Sequence, residues 1–149
     1  MTDSGRPVFG GGGITPDVKI PPQKSSRFQD TLLQHYAFFN FAKRYTLTHH
    51  PMKTFQPDDV VLQDFRRFLD EQKIPYTEAD LAQNSEWVHS NIRSEVLIDA
   101  FGQEEGLKAQ RENDPEVIKA LELLPQAKQL AEKAKQIIAD RSAAHALNR

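Results

Sequence analysis

A chain of 149 residues and 17.0 kDa has room for one domain, or a small domain with a tail, and buries roughly 70% of its unfolded surface on folding. The net charge of −2 argues against a nucleic-acid binder that works by neutralising phosphates. No apolar run approaches the roughly 20 residues that span a bilayer, and no basic-then-apolar signal-peptide pattern is visible at the start. The absence of cysteine excludes disulfides, thiolate zinc sites and cysteine nucleophiles and leaves the redox compartment undecided. With 38% apolar residues, nine Phe, three Tyr and one Trp, the chain is polar on average but well supplied with core material.

The pattern changes near residue 25. Five of the seven glycines fall within the first 13 residues, and Pro7, Pro16, Pro21 and Pro22 lie in the first 22. Such a stretch resists helix formation, because glycine is entropically costly there and proline lacks the amide donor. Residues 1–24 therefore read as an extended Gly/Pro-rich arm. It carries two short strand-like pieces, Pro7-Val8-Phe9 and Val18-Lys19-Ile20, which need a partner sheet to be stable.

Residues 25–140 read as helical, giving a mainly α, bundle-like domain of five to six helices, with residues 141–149 as a frayed tail. Ser26 with Gln29 forms a capping box, and one long helix is expected from there to Thr48, with Phe28, Leu32, Tyr36, Phe39 and Ala42 on its inner face. A second helix follows Asp58 and Asp59, with Val61, Leu62, Phe65, Phe68 and Leu69 on its apolar face. Thr77 with Asp80 caps a third, whose stripe is Leu81, Val88, Ile92 and Val96 and which ends at Gly102. A short helix over residues 103–112 is weakened by Gly106. Asp114-Pro115 opens the last, which Pro125 either kinks or divides. The expected core is Phe39, Phe65, Phe68, Leu81, Val88 and Ile92. Charge is uneven, with eight acidic and three basic residues from Glu95 to Glu122 and five basic and two acidic from Lys128 to Arg149. Solvated helix faces account for both.

A search for chemistry yields no catalytic, cofactor or metal residue. The run Gly10 to Gly13 fails the phosphate-loop pattern, since Gly5 and Gly10 have the right gap but Gly11-Gly12 follow in place of Lys-Ser/Thr. It fails the dinucleotide fingerprint because Pro16 blocks the helix that must open there. His49 and His50 are adjacent at a helix end with no third ligand at useful spacing. His35 and His89 read as satisfied core or interface histidines. No serine sits in a Gly-x-Ser-x-Gly elbow; a Ser-Lys dyad is not excluded by spacing, but the serines fall at caps and on polar faces. The cluster Tyr36, Phe38, Phe39, Phe41 and Tyr45 reads as core, or as an interface whose partner is missing.

The segment from Ser4 to Val18 resembles the motif that closes the catalytic domain of C-terminal processing peptidases, the tail-specific proteases. There the pattern runs Gly-Arg-x-(Ile/Val)-x-Gly-x-Gly-Ile-x-Pro-Asp-(Val/Ile). This chain matches at Gly5, Arg6, Val8, Gly10, Gly12 or Gly13, Ile14, Pro16, Asp17 and Val18. The run from Ala37 to Tyr45 also resembles the helical C-terminal extension of some members. The resemblance implies a parent serine-type peptidase with a Ser-Lys dyad and a PDZ-like domain, both upstream of this motif. No residue here matches the family's catalytic pattern, so none is assigned a catalytic role. It further implies a bacterial cell-envelope or periplasmic location.

The expectation is thus a C-terminal piece of a tail-specific serine protease, inactive alone. Its role would be to pack on its own catalytic domain, to homo-oligomerise, or to recruit a protein substrate or adaptor. The competing expectation is a stand-alone helical protein–protein interaction module. An autonomous hydrolase is least favoured.

Overall fold

The computed structural model describes residues 16–22 and 24–147. The described residues form two compact units. One is Pro22–Val117; the other takes in the described residues of Met1–Pro21 and Ile118–Arg149. Among the described residues seven helices are present: α1 (Arg27–Gln34), α2 (Ala37–Thr48), α3 (Asp59–Glu71), α4 (Glu78–Gln83), α5 (Ser85–Phe101), α6 (Gln103–Glu112) and α7 (Pro115–Leu147). The mainly helical class is as expected, and the count exceeds it because two of the expected helices are each divided. The glycine run and the piece Pro7-Val8-Phe9 lie outside the described residues. Val18-Lys19-Ile20 is not a strand: the chain bends at Asp17 and Val18 and makes no ladder, as expected of a short piece with no paired neighbour.

The first division falls at His35 and Tyr36. Ser26 caps α1 as expected: its hydroxyl accepts from Gln29 N at 3.2 Å, and the Gln29 side chain accepts from Ser26 N at 2.9 Å. Tyr36 then enters the left-handed region at φ 51°, a conformation that costs an L-residue about 1–2 kcal/mol. Fully buried residues on either side, Leu32 and Ala37, hold it there. The joint resets the helical phase, so α2 buries Ala37, Phe38, Phe41 and Ala42. Phe39, expected inside, is 50% exposed, and Tyr36 is 71% exposed. The second division is at Asn84, between α4 and α5. The Asn84 side chain donates to Asp80 O at 2.8 Å and its backbone amide to the same oxygen at 3.1 Å.

α2, α3 and α5 run in the same direction around one aromatic core. Phe38 stacks on Phe65 (5.4 Å between centroids, 8° between planes) and meets Trp87 edge-on at 5.2 Å. Phe41 meets Phe65 and Phe68 at steep angles. Each such pair contributes about 0.5–1.5 kcal/mol beyond its burial. Further along, Arg44 of α2 pairs with Glu71 of α3, and the Thr46 hydroxyl donates to Asp99 of α5. Leu32, Phe65, Leu69, Val88, Ile92 and Val96 are the largest fully buried side chains. The expected core members Phe65, Phe68, Leu81, Val88 and Ile92 are all buried.

α3 ends in a Schellman turn, with Ile74 N donating to Leu69 O at 2.9 Å and Lys73 N to Asp70 O at 3.0 Å. Lys73 occupies the left-handed position at φ 55°, and Ile74 is buried just beyond it. Gly102, at φ 93°, is the single residue between α5 and α6, and α6 folds back along α5. Gly106 makes the close approach possible: a Cβ there would stand 2.1 Å from Ile98 Cγ1 and 2.7 Å from Ser94 O. The buried Ser94 hydroxyl donates to Gly106 O at 3.1 Å, and Arg93 pairs with Glu112 further along. Asp114 caps α7, its carboxylate accepting from Glu116 N and Val117 N. α7 passes through Pro125 without a break.

Candidate interaction surface

Among the described residues no group of three His, Asp or Glu converges as metal ligands, and no helix is long and apolar enough to cross a membrane. Four serines have structural partners among the described residues. Ser26 caps α1, Ser94 is buried against Gly106, Ser90 accepts from Asn113 Nδ2 at 3.5 Å, and Ser142 donates to Ile138 O at 2.9 Å. Ser85 lines a small cavity described below.

The histidines separate. His35 is exposed at the joint between α1 and α2. His49 stacks on Tyr45 with 4.2 Å between centroids and 4° between planes, and its Nδ1 lies 2.9 Å from the Thr48 hydroxyl. His89 differs from the expected satisfied histidine. Its Nε2 is buried with no hydrogen-bond partner among the described residues. Its ring lines a cavity of about 80 Å³ between α3, α4 and α5, together with Leu62, Phe65, Leu81 and Val88. An unpaired buried nitrogen loses its hydration without compensation. Period-based reading could not find this, because His89 follows Val88 on a helix whose apolar stripe is broad.

Two carboxylates sit in contrasting settings. Burial, with Asp99 nearby, pushes the Glu95 carboxyl above the ordinary glutamate range. Hydrogen bonds from Lys53 and Lys108 hold Glu105 below it, so Glu105 stays ionised and ties the loop after α2 to α6 through Lys53 at 3.2 Å.

Part of the accessible surface is apolar. Leu33, Tyr36 and Phe39 are at least half exposed within seven residues of chain, followed by Leu47 at 83% and Met52 at 73%. The Lys43 ammonium stands 5.4 Å over the Phe39 ring and keeps one charged group at the edge of this surface. Scattered exposed leucines need no explanation, whereas three large apolar side chains lie exposed on either side of this strained joint. The aromatic cluster seen in the sequence is therefore divided: Phe38 and Phe41 are core, Tyr45 is half-buried, and Tyr36 and Phe39 face outward.

Residues 28–79 match the family model described as "Probable PDZ-protease, C-terminal helical domain". The match covers α1, α2 and α3 and the start of α4, including the exposed Leu33, Tyr36 and Phe39. It bears out, on a different part of the chain, the protease resemblance carried by residues 4–18. No curated protein and no solved structure matches the chain with significance.

Proposed function

We propose that this chain is the C-terminal, non-catalytic part of a tail-specific serine protease, whose serine nucleophile and lysine base would lie upstream of residue 4. The protease-type match over residues 28–79 carries the proposal, because it falls on the helices that expose Leu33, Tyr36 and Phe39. In this reading that surface holds the helical domain against its own catalytic domain, or against a protein substrate or adaptor. The parent enzyme would work in the bacterial cell envelope.

The test compares this chain with the same chain extended upstream through the catalytic region, on an unstructured protein with an apolar C-terminus. Cleavage by the extended protein alone supports the reading; cleavage by the isolated chain overturns it. Within the extended protein, Tyr36→Ser and Phe39→Ser should weaken activity or domain association while leaving helicity intact, because neither side chain is in the core. A second reading, a stand-alone interaction module, draws on the core that Pro22–Val117 closes by itself. An upstream in-frame coding stretch with serine and lysine motifs would decide against it.

A further inference from the structure

α7 carries a seven-residue repeat with no function yet assigned. Alanine recurs at Ala120, Ala127 and Ala134, and a large aliphatic residue follows three positions later at Leu123, Leu130 and Ile137. In heptad terms these are a and d, and their 3.5-residue period is that of helices wound around one another with a left-handed twist. Leu124, Ala131 and Ile138 occupy the adjoining e positions. Its large side chains are exposed in part: Leu124 is 58% exposed, Leu130 54%, Ile137 39% and Ile138 47%. An apolar groove runs along it, lined by Ala127, Leu130, Ala134 and Ile137, with Asp17 and Lys133 among the polar groups lining it. Pro125 falls at an f position, outside this seam, so its missing amide does not interrupt the repeat. Ile118 and Leu121 also lie outside it.

We infer that this face binds the same face of a second copy of the chain, antiparallel and in a single register. Antiparallel helices bring a of one chain against d of the other. One register overlaps all three heptads. It sets Ala120 against the partner's Ile137, Leu123 against the partner's Ala134, and Ala127 against the partner's Leu130, each pair occurring twice by symmetry. Every layer then joins one small and one large residue, the alternation that fills a helix interface without voids or clashes. The same register sets Lys119 opposite the partner's Asp140 and Gln126 opposite the partner's Lys133. In the single chain Lys119 pairs with Glu122 at 2.8 Å, and Asp140 accepts from Gln136 at 2.9 Å. Such exposed pairs exchange partners at little cost. A parallel pairing fits worse, because it stacks Ala on Ala and Leu on Leu, and lays Lys119 and Lys133 on Leu124 and Ile138 of the other helix.

This inference does not depend on the protease reading, and its test uses the full 149-residue chain. Light scattering should give twice the mass of 17.0 kDa. Leu130→Glu should weaken self-association by at least about tenfold while keeping the helix content, since no core residue of Pro22–Val117 comes from α7. Ile118→Glu, an exposed change outside the seam, should leave the mass doubled. The chain has no cysteine of its own, so register can be read by trapping. Under oxidation, Ala120→Cys mixed with Ile137→Cys should give the mixed disulfide, and neither alone should cross-link. A single-chain mass at high concentration overturns the inference and would mean that the face is left open or is covered by the chain's own N-terminal arm. Self-cross-linking of Ala120→Cys overturns the antiparallel register, and loss of the dimer in Ile118→Glu overturns the seam.

Discussion

His89 sits at the second turn of α5 with its Nε2 enclosed and unpaired, beside a small cavity whose other walls include Leu62, Phe65 and Val88. Replacing it with an apolar side chain removes the unsatisfied atom and fills part of the space. His89→Leu is therefore expected to stabilise the fold by about 1 kcal/mol, measured by urea unfolding; destabilisation would show that the nitrogen is used. Glu95 offers a test of sign. Its carboxyl is raised by burial and by Asp99, so the folded state holds its proton more tightly than the unfolded chain does. The resulting stabilisation is present below the ordinary glutamate value of about 4.3 and is lost as pH rises through the raised value. Glu95→Gln should consequently melt higher than the parent at neutral pH, and the difference should vanish below about pH 4. Equal melting temperatures at both pH values would remove burial as the cause.

The helices owe their ends to a few residues, and here the sequence was unevenly informative. The capping boxes at Ser26 and Thr77 were legible because a cap needs only a polar side chain three residues from its partner. The joint at Tyr36 was not, because no glycine or proline marks it and the left-handed turn is imposed by burial of Leu32 and Ala37. Missing it placed Phe39 in the core and left open which of the clustered aromatic side chains face outward. Lys73 is another left-handed residue without a glycine signal. Lys73→Gly should stabilise the Schellman turn by about 1 kcal/mol, seen as a rise in denaturation midpoint. Gly106 weakens α6 on propensity alone, yet it lets α6 lie against Ser94 and Ile98. Gly106→Ala, favourable in an isolated helix by about 1 kcal/mol, should here cost about 1–3 kcal/mol through overpacking. A neutral result would mean that α6 can move away from α5 without loss.

At the scale of the molecule, Pro22–Val117 is a compact unit with its own core, and α7 contributes none of that core. A fragment of residues 22–117 is expected to unfold in one cooperative step with a melting temperature close to that of the matching transition in the full chain, by calorimetry. A fragment without cooperative unfolding would show that α7 supports the core after all. The amphipathic period of α3 and the capping boxes at Ser26 and Thr77 made this unit legible from sequence. Which apolar side chains stay outside was the least legible feature, because it depends on where each helix restarts.

Trp87 is the chain's only tryptophan, and it stands edge-on against Phe38 within Pro22–Val117. α7 contains no aromatic residue at all. Tryptophan emission therefore reports the aromatic core and is blind to the long helix, whereas far-ultraviolet dichroism includes that helix with its 33 residues. One sample carries two separate optical channels, and a protein-concentration series should displace the dichroic trace while the emission trace stays in place.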